Sequence, residues 1–127
     1  FLPGCVRSTD RFVRGYFFDG HVDKTADPDL ALSIVRSIMN NVSVPYQYTP
    51  EGEPNVSSTQ WRSYSCIKSL RYYFDMANQL GTYYVDLNEV DLRPGQSVLK
   101  LTTSKAGDYV GNVTRKMEKT APFTPMY

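Results

Sequence analysis

The stretch STDRFVRGYFF, residues 8–18, opens like an amphipathic helix yet carries Arg11 and Arg14 in its first two turns. Positive side chains there oppose the helix macrodipole, which favours negative charge at an N-terminus. The placement asks whether one of these arginines is held for something other than helix stability. The remaining reactive side chains are few: two thiols, Cys5 and Cys66, and a single histidine, His21. A cysteine beside a histidine would make a nucleophile and its base, but no motif supports such a dyad here. The thiols read instead as unlinked, one or both buried, and His21 as part of a solvated loop between helices. Asp86, Glu89 and Asp91 crowd the segment DLNEVDL, where acids after a strand read as a solvated turn. No residue set has metal-ligand spacing. No GxGxxG, P-loop or GxSxG motif occurs. Neither a metal nor another cofactor is expected, and the residues alone define no autonomous catalytic set.

The chain that must position these groups has 127 residues, 41% hydrophobic and 21% charged, with a net charge of +1. That is the composition of one globular domain with a modest core. The charge balance gives no reason to expect a nucleic acid or an anionic membrane as partner, and no apolar run approaches the ~20 residues of a membrane span. The opening FLPG has neither an initiator Met nor a signal-peptide pattern, so the chain is expected to be a fragment or a processed subunit. Asn41, Asn55 and Asn112 stand in N-x-S/T triplets, either glycan acceptors or chance occurrences of a short motif.

Hydrophobic periodicity divides the chain in two. Ser8, Thr9 or Asp10 can cap a first helix over about 8–20, with Phe12, Val13, Tyr16 and Phe17 at helical spacing and Gly20 as its stop. Asp27 caps and Pro28 opens a second helix over about 27–41, striped by Ala31, Ile34, Val35 and Ile38. Residues 43–58, rich in proline, read as a long loop. The period then drops to two. Strands are expected at about 58–67, 70–76, 82–87 and 97–103, with turns at Lys68-Ser69 and Pro94-Gly95. Residues 104–127 read as an extended tail anchored by Phe123. Helices and strands are segregated, which argues α+β with an antiparallel meander. Tyr64, Tyr73 and Tyr83 are expected on the face opposite Trp61, Tyr72 and Phe74. A sheet apolar on both faces wants a second layer that this sequence does not obviously supply.

LPGCVRSTDRFVR (2–14) closely resembles the LPG-D-x-S-S-x-S-R-F-V-R/K segment of the choloylglycine hydrolase family, the bile salt hydrolases and penicillin V acylases. STQWRSYSCIKSLRYYFDMANQLGTYYVDLNEVDL resembles that family's late strands, and NNVSVP (40–45) its Gram-negative branch. The resemblance implies the C-terminal part of an αββα N-terminal nucleophile hydrolase that cleaves linear amide C–N bonds. It implies a cysteine nucleophile, exposed at the mature N-terminus of a portion that precedes this region, with its own α-amino group as base. The partners implied are that N-terminal portion and a small-molecule N-acyl amide. A homotetrameric complete enzyme is implied as well, exported or periplasmic in preference to cytoplasmic.

One catalytic position carries over, Arg11, which the resemblance places beside the nucleophile. A guanidinium stays charged and offers several donors to a thiolate or oxyanion, and a nearby cation lowers a thiol pKa. Arg14 matches a position that accepts Lys and reads as a surface charge. Two departures stand out: Asp10 replaces a Ser, free to pair with Arg14 or Arg11, and Cys5 replaces an Asp. Cys5 is not expected to be the nucleophile, because the family's nucleophile begins the whole fold. Trp61 and Tyr64 could touch substrate but are assigned to core packing. The competing reading is a non-catalytic interaction module that uses the aromatic strands and the loop 43–58.

Overall fold

A computed structural model describes residues 2–53, 57–103 and 109–126. Helix α1 spans Ser8–His21 and helix α2 Pro28–Val42. Helix α2 starts as its sequence dictates. The Asp27 carboxylate accepts the N–H groups of Asp29 (3.0 Å) and Leu30 (3.5 Å), and Pro28 sits in the first turn, where its missing N–H costs nothing. Helix α1 starts differently. Ser8 is already helical, Arg7 holds the cap position, and no side chain caps it. Gly20 lies inside the helix rather than ending it. The helices pack against each other near Gly15, where an added Cβ would meet Val42 Cγ1 at 3.6 Å.

No regular element lies between Val42 and Trp61 among the described residues; the loop reading also covers 54–56, which lie outside them. The loop's two ends are tied together. Val44 N–H donates to Thr59 Oγ1 (2.9 Å), Thr59 N–H to Val44 O (3.1 Å), and Tyr48 N–H to Ser58 Oγ (2.9 Å). Val44 is buried as a result.

Strands β1 (Trp61–Cys66), β2 (Arg71–Met76) and β3 (Thr82–Asp86) form the antiparallel meander. The β1–β2 turn takes four residues rather than two, and Leu70 turns it with φ 54°. The meander ends there. The expected fourth strand is short, β4 (Val98–Lys100), and pairs with β6 (Glu118–Thr120) in a separate two-stranded sheet. The fourth place beside β3 goes to β5 (Gly111–Asn112), which runs parallel to it. The segment expected as a plain extended tail therefore supplies two strands and a 3-10 turn at Thr114–Lys116; its residues 104–108 and 127 lie outside the described ones. Phe123 is no anchor, being 88% exposed.

Register assigns the faces. Tyr64 opposes Tyr73, which opposes Tyr84, while Ser63, Phe74 and Tyr83 align on the other side. Tyr83 thus joins Trp61, Tyr72 and Phe74, and Tyr84 takes the place expected for it. Helix α2 lies on the Tyr64 face, where its Arg36 pairs with Asp75. On the other, Tyr83, Tyr109 and Val113 make a small buried core with Phe74, Met76, Val85 and Leu101 against it. Trp61 and Tyr72 on that face, and Phe12 and Tyr16 on α1, remain exposed. Neither helix buries a single residue fully.

Candidate active site around Arg11

Arg11 sits in the first turn of α1, its N–H donating to Arg7 O (3.0 Å). The side chain leaves its own helix and reaches the far end of α2. Nη1 donates to Val42 O across a long 3.4 Å, and Nε is buried without a partner. A cation that is misplaced on α1 therefore stands at the negative end of α2, whose last turn has no basic residue of its own. One long hydrogen bond leaves most of the guanidinium's five donors free.

Arg11 lines a cleft of about 390 Å³ together with Val42, Ser43, Thr59, Trp61 and Arg62, among others. Among the described residues no carboxylate lines it; two guanidiniums and several hydroxyls do. Such a wall favours negative charge developing next to it. Trp61, 57% exposed, forms part of that wall and is not core, whereas Tyr64 is buried as expected.

Arg62 is held from behind. Its Nε and Nη2 each lie 3.1 Å from Asp75 Oδ2, and Nη1 lies 3.5 Å from Ser43 Oγ. Asp75, 2% exposed, also pairs with Arg36 of α2 at 3.6 Å. Tyr64 packs beside this cluster. Burial pushes its phenol above the ordinary range, and the charge of Asp75 adds to the shift. Neither residue type nor spacing marks Arg62, Asp75 and Arg36 in the sequence. The available signal is parity: Arg62 of β1 and Asp75 of β2 are cross-strand partners on the same face as Tyr64 and Tyr73.

The other candidate residues fall elsewhere. Arg14 is not a plain surface charge. Its Nη1 donates to Pro3 O (2.8 Å) and Cys5 O (2.7 Å), clamping the N-terminal segment onto α1. Among the described residues no ion pair joins Asp10 to either arginine. Cys5 and Cys66 are free thiols, Cys5 exposed and Cys66 half-buried, so neither is buried as expected. Hydrogen bonding from Ser69 holds the Cys66 thiol below its ordinary pKa. His21 ends α1 with its ring stacked on Phe17 at 4.1 Å and Nδ1 donating to Phe17 O (2.7 Å), not to a thiol.

Asp86 corrects the reading of DLNEVDL as a solvated turn. It is buried, takes Arg71 Nε at 3.0 Å, and accepts Asn88 N–H (3.0 Å) to open the 3-10 turn Leu87–Glu89. Asp91 pairs with Arg93 (2.6 Å), and Glu89 accepts from Asn112 Nδ2 (2.7 Å). Among the described residues no group of three acidic, His or Cys side chains is placed to hold a metal. No described helix is long and apolar enough to cross a membrane.

The match to known proteins covers the strands and the Arg11 segment alike. Residues 1–114 match the linear amide C–N hydrolases of the choloylglycine hydrolase family. The chain is 33% identical to a penicillin V acylase of Pectobacterium atrosepticum, over 96% of its own length and 36% of that protein's. It superposes on the structure of penicillin V acylase from Agrobacterium tumefaciens with a TM-score of 0.88 at 34% identity, covering 99% of this chain and 41% of the other. It thus spans well under half the length of the relatives it matches. Two helices followed by antiparallel strands, in the arrangement of a penicillin V acylase and with a match over most of its residues, place this chain in the choloylglycine hydrolase family of linear amide C–N hydrolases.

Proposed function

We propose that this chain supplies the Arg11 portion of a hydrolase acting on small N-acyl compounds, with penicillin V or conjugated bile acids as substrates. In this reading a further portion of the enzyme carries a cysteine at its mature N-terminus. The cysteine's α-amino group accepts the thiol proton, and the thiolate adds to the amide carbonyl. The tetrahedral oxyanion collapses with loss of the protonated amine, and water then hydrolyses the thioester. Arg11 stabilises first the thiolate and then the oxyanion.

The observation that carries the reading is the state of Arg11. It is a guanidinium with one 3.4 Å partner and a buried, unpaired Nε, beside a cleft without carboxylates. The exposed aromatic residues of the sheet and of α1 support a second body of protein packed against this one. The penicillin V acylase relatives support the substrate class.

The test is amine release from penicillin V and from a glycine-conjugated bile acid, by this chain alone and by the complete enzyme expressed from its whole reading frame. Turnover is expected from the complete enzyme and none from this chain alone. A complete enzyme that releases no amine from any N-acyl substrate would overturn the proposal in favour of an interaction module.

A further inference from the structure

We infer that Asp75 is a positioning residue for Arg11, acting through Arg62 and the end of α2; the inference rests on the function proposed for Arg11. A carboxylate as buried as Asp75 must be paired, and its pairing joins three elements at one atom. Oδ2 takes Nε and Nη2 of Arg62 from β1, both at 3.1 Å, and Arg36 Nε from α2 at 3.6 Å. Arg62 then extends Nη1 to within 3.5 Å of Ser43 Oγ, the first residue past α2. Ser43 in turn donates to Met39 O (2.6 Å). Val44, the next residue, is fixed to Thr59 in both directions, at 2.9 and 3.1 Å.

The carbonyl between these tethers is that of Val42, the one protein acceptor of Arg11's guanidinium among the described residues. The line of contact therefore runs from Asp75 to Arg62, to the end of α2, and to Arg11. Ordinary helix packing does not explain why the link should be ionic. Helix α2 already has an apolar stripe of Ala31, Ile34 and Ile38 for that. A carboxylate holding a forked guanidinium adds direction. It fixes the depth of the α2 end against the sheet, and so the point from which Arg11 is aimed.

The experiment is a double-mutant cycle in the complete enzyme, with kcat and KM measured for penicillin V. Asp75→Asn keeps the side-chain volume and removes the charge that clamps Arg62. It is expected to lower kcat by about tenfold to a hundredfold with KM little changed, the scale of a small misplacement of a catalytic group. In an Arg11→Ala background the same substitution is expected to cost less than about twofold, because nothing is left to position. A purely structural role would cost the same factor in both backgrounds, and that result overturns the inference. Where Asp75→Asn does not fold, Arg62→Lys replaces it in the cycle, since it keeps the charge but loses the fork. Failure of both to fold would make the pair a stability element and also overturn the inference. An Arg11→Ala enzyme with unchanged kcat would instead refute the role proposed for Arg11, a separately readable outcome.

Discussion

Gly81 links β2 to β3 where the parallel strand β5 begins, and an alanine there tests how that strand is seated. A Cβ at Gly81 would lie 2.8 Å from Val110 Cγ2 and 2.9 Å from Tyr109 O, against about 3.5–4.0 Å for an ordinary contact between carbon atoms. The two clashes are unequal. Val110 is 71% exposed and can rotate its methyl away, whereas Tyr109 O is backbone and moves only with β5. Gly81 has no positive φ, so the backbone itself would accept alanine. Alanine would then gain about 0.4–1 kcal/mol from a stiffer unfolded chain. Overpacking against fixed backbone costs about 1–3 kcal/mol. The clash wins, leaving a net loss of about 0.5–2 kcal/mol localised at β5.

The readout is hydrogen exchange at Val113, whose N–H donates to Tyr84 O at 2.9 Å. At about 1.4 kcal/mol per factor of ten, its protection is expected to fall by about 2- to 30-fold, with the β1–β2 amides unchanged. Protection at Val113 that stays the same or rises in Gly81→Ala would show that β5 is not seated tightly against Gly81.

Arg14→Gln removes the charged donor to Pro3 O and Cys5 O. Partly solvent-screened, that clamp is worth about 1–2 kcal/mol, so trypsin is expected to cut after Arg7 roughly ten times faster. Asp86 is held below the ordinary carboxylate range, first by the hydrogen bond from Arg71 and then by Asn88. Its contribution to stability is therefore complete above the unfolded-state pKa of about 4 and lost as pH falls through the lower folded value. An NMR titration that places its midpoint at or above the free value would contradict the pairing. Cys66 is expected to alkylate with a midpoint pH below that of an ordinary thiol, and Ser69→Ala to move that midpoint up. No movement would show that Ser69 does not set it.

What the sequence disclosed tracks how local each determinant is. Asp27 and Pro28 cap α2 as read, because a cap is made by neighbours in the chain. The alternation in WRSYSC, RYYFDM and TYYVD sufficed for three strands. Pairing beyond adjacent strands was out of reach: β4 looks like the next strand of the meander, but its partner β6 lies near the chain end and β3 takes β5 instead. The parity of Tyr83 and Tyr84 depends on where β3 starts relative to β2, which adjacent tyrosines do not disclose. At the site, the family motif drew attention to Arg11. Its contact is a backbone carbonyl, as are both contacts of Arg14, and carbonyls leave no residue signature. Asp75 was missed because a single acid in an aromatic strand looks like an outward residue until Arg62 and Arg36 are seen around it.

Whether Arg11 serves the reacting atoms is read from the kinetics of Arg11→Ala and Arg11→Lys in the complete enzyme with penicillin V. Loss of one preorganised oxyanion donor costs about 10²–10³ in kcat. A fall of that size is therefore expected for Ala, with a partial recovery for Lys and little change in KM. A kcat unchanged in Arg11→Ala, with the fold intact, would leave Arg11 as no more than a cation at the end of α2 and would contradict the account.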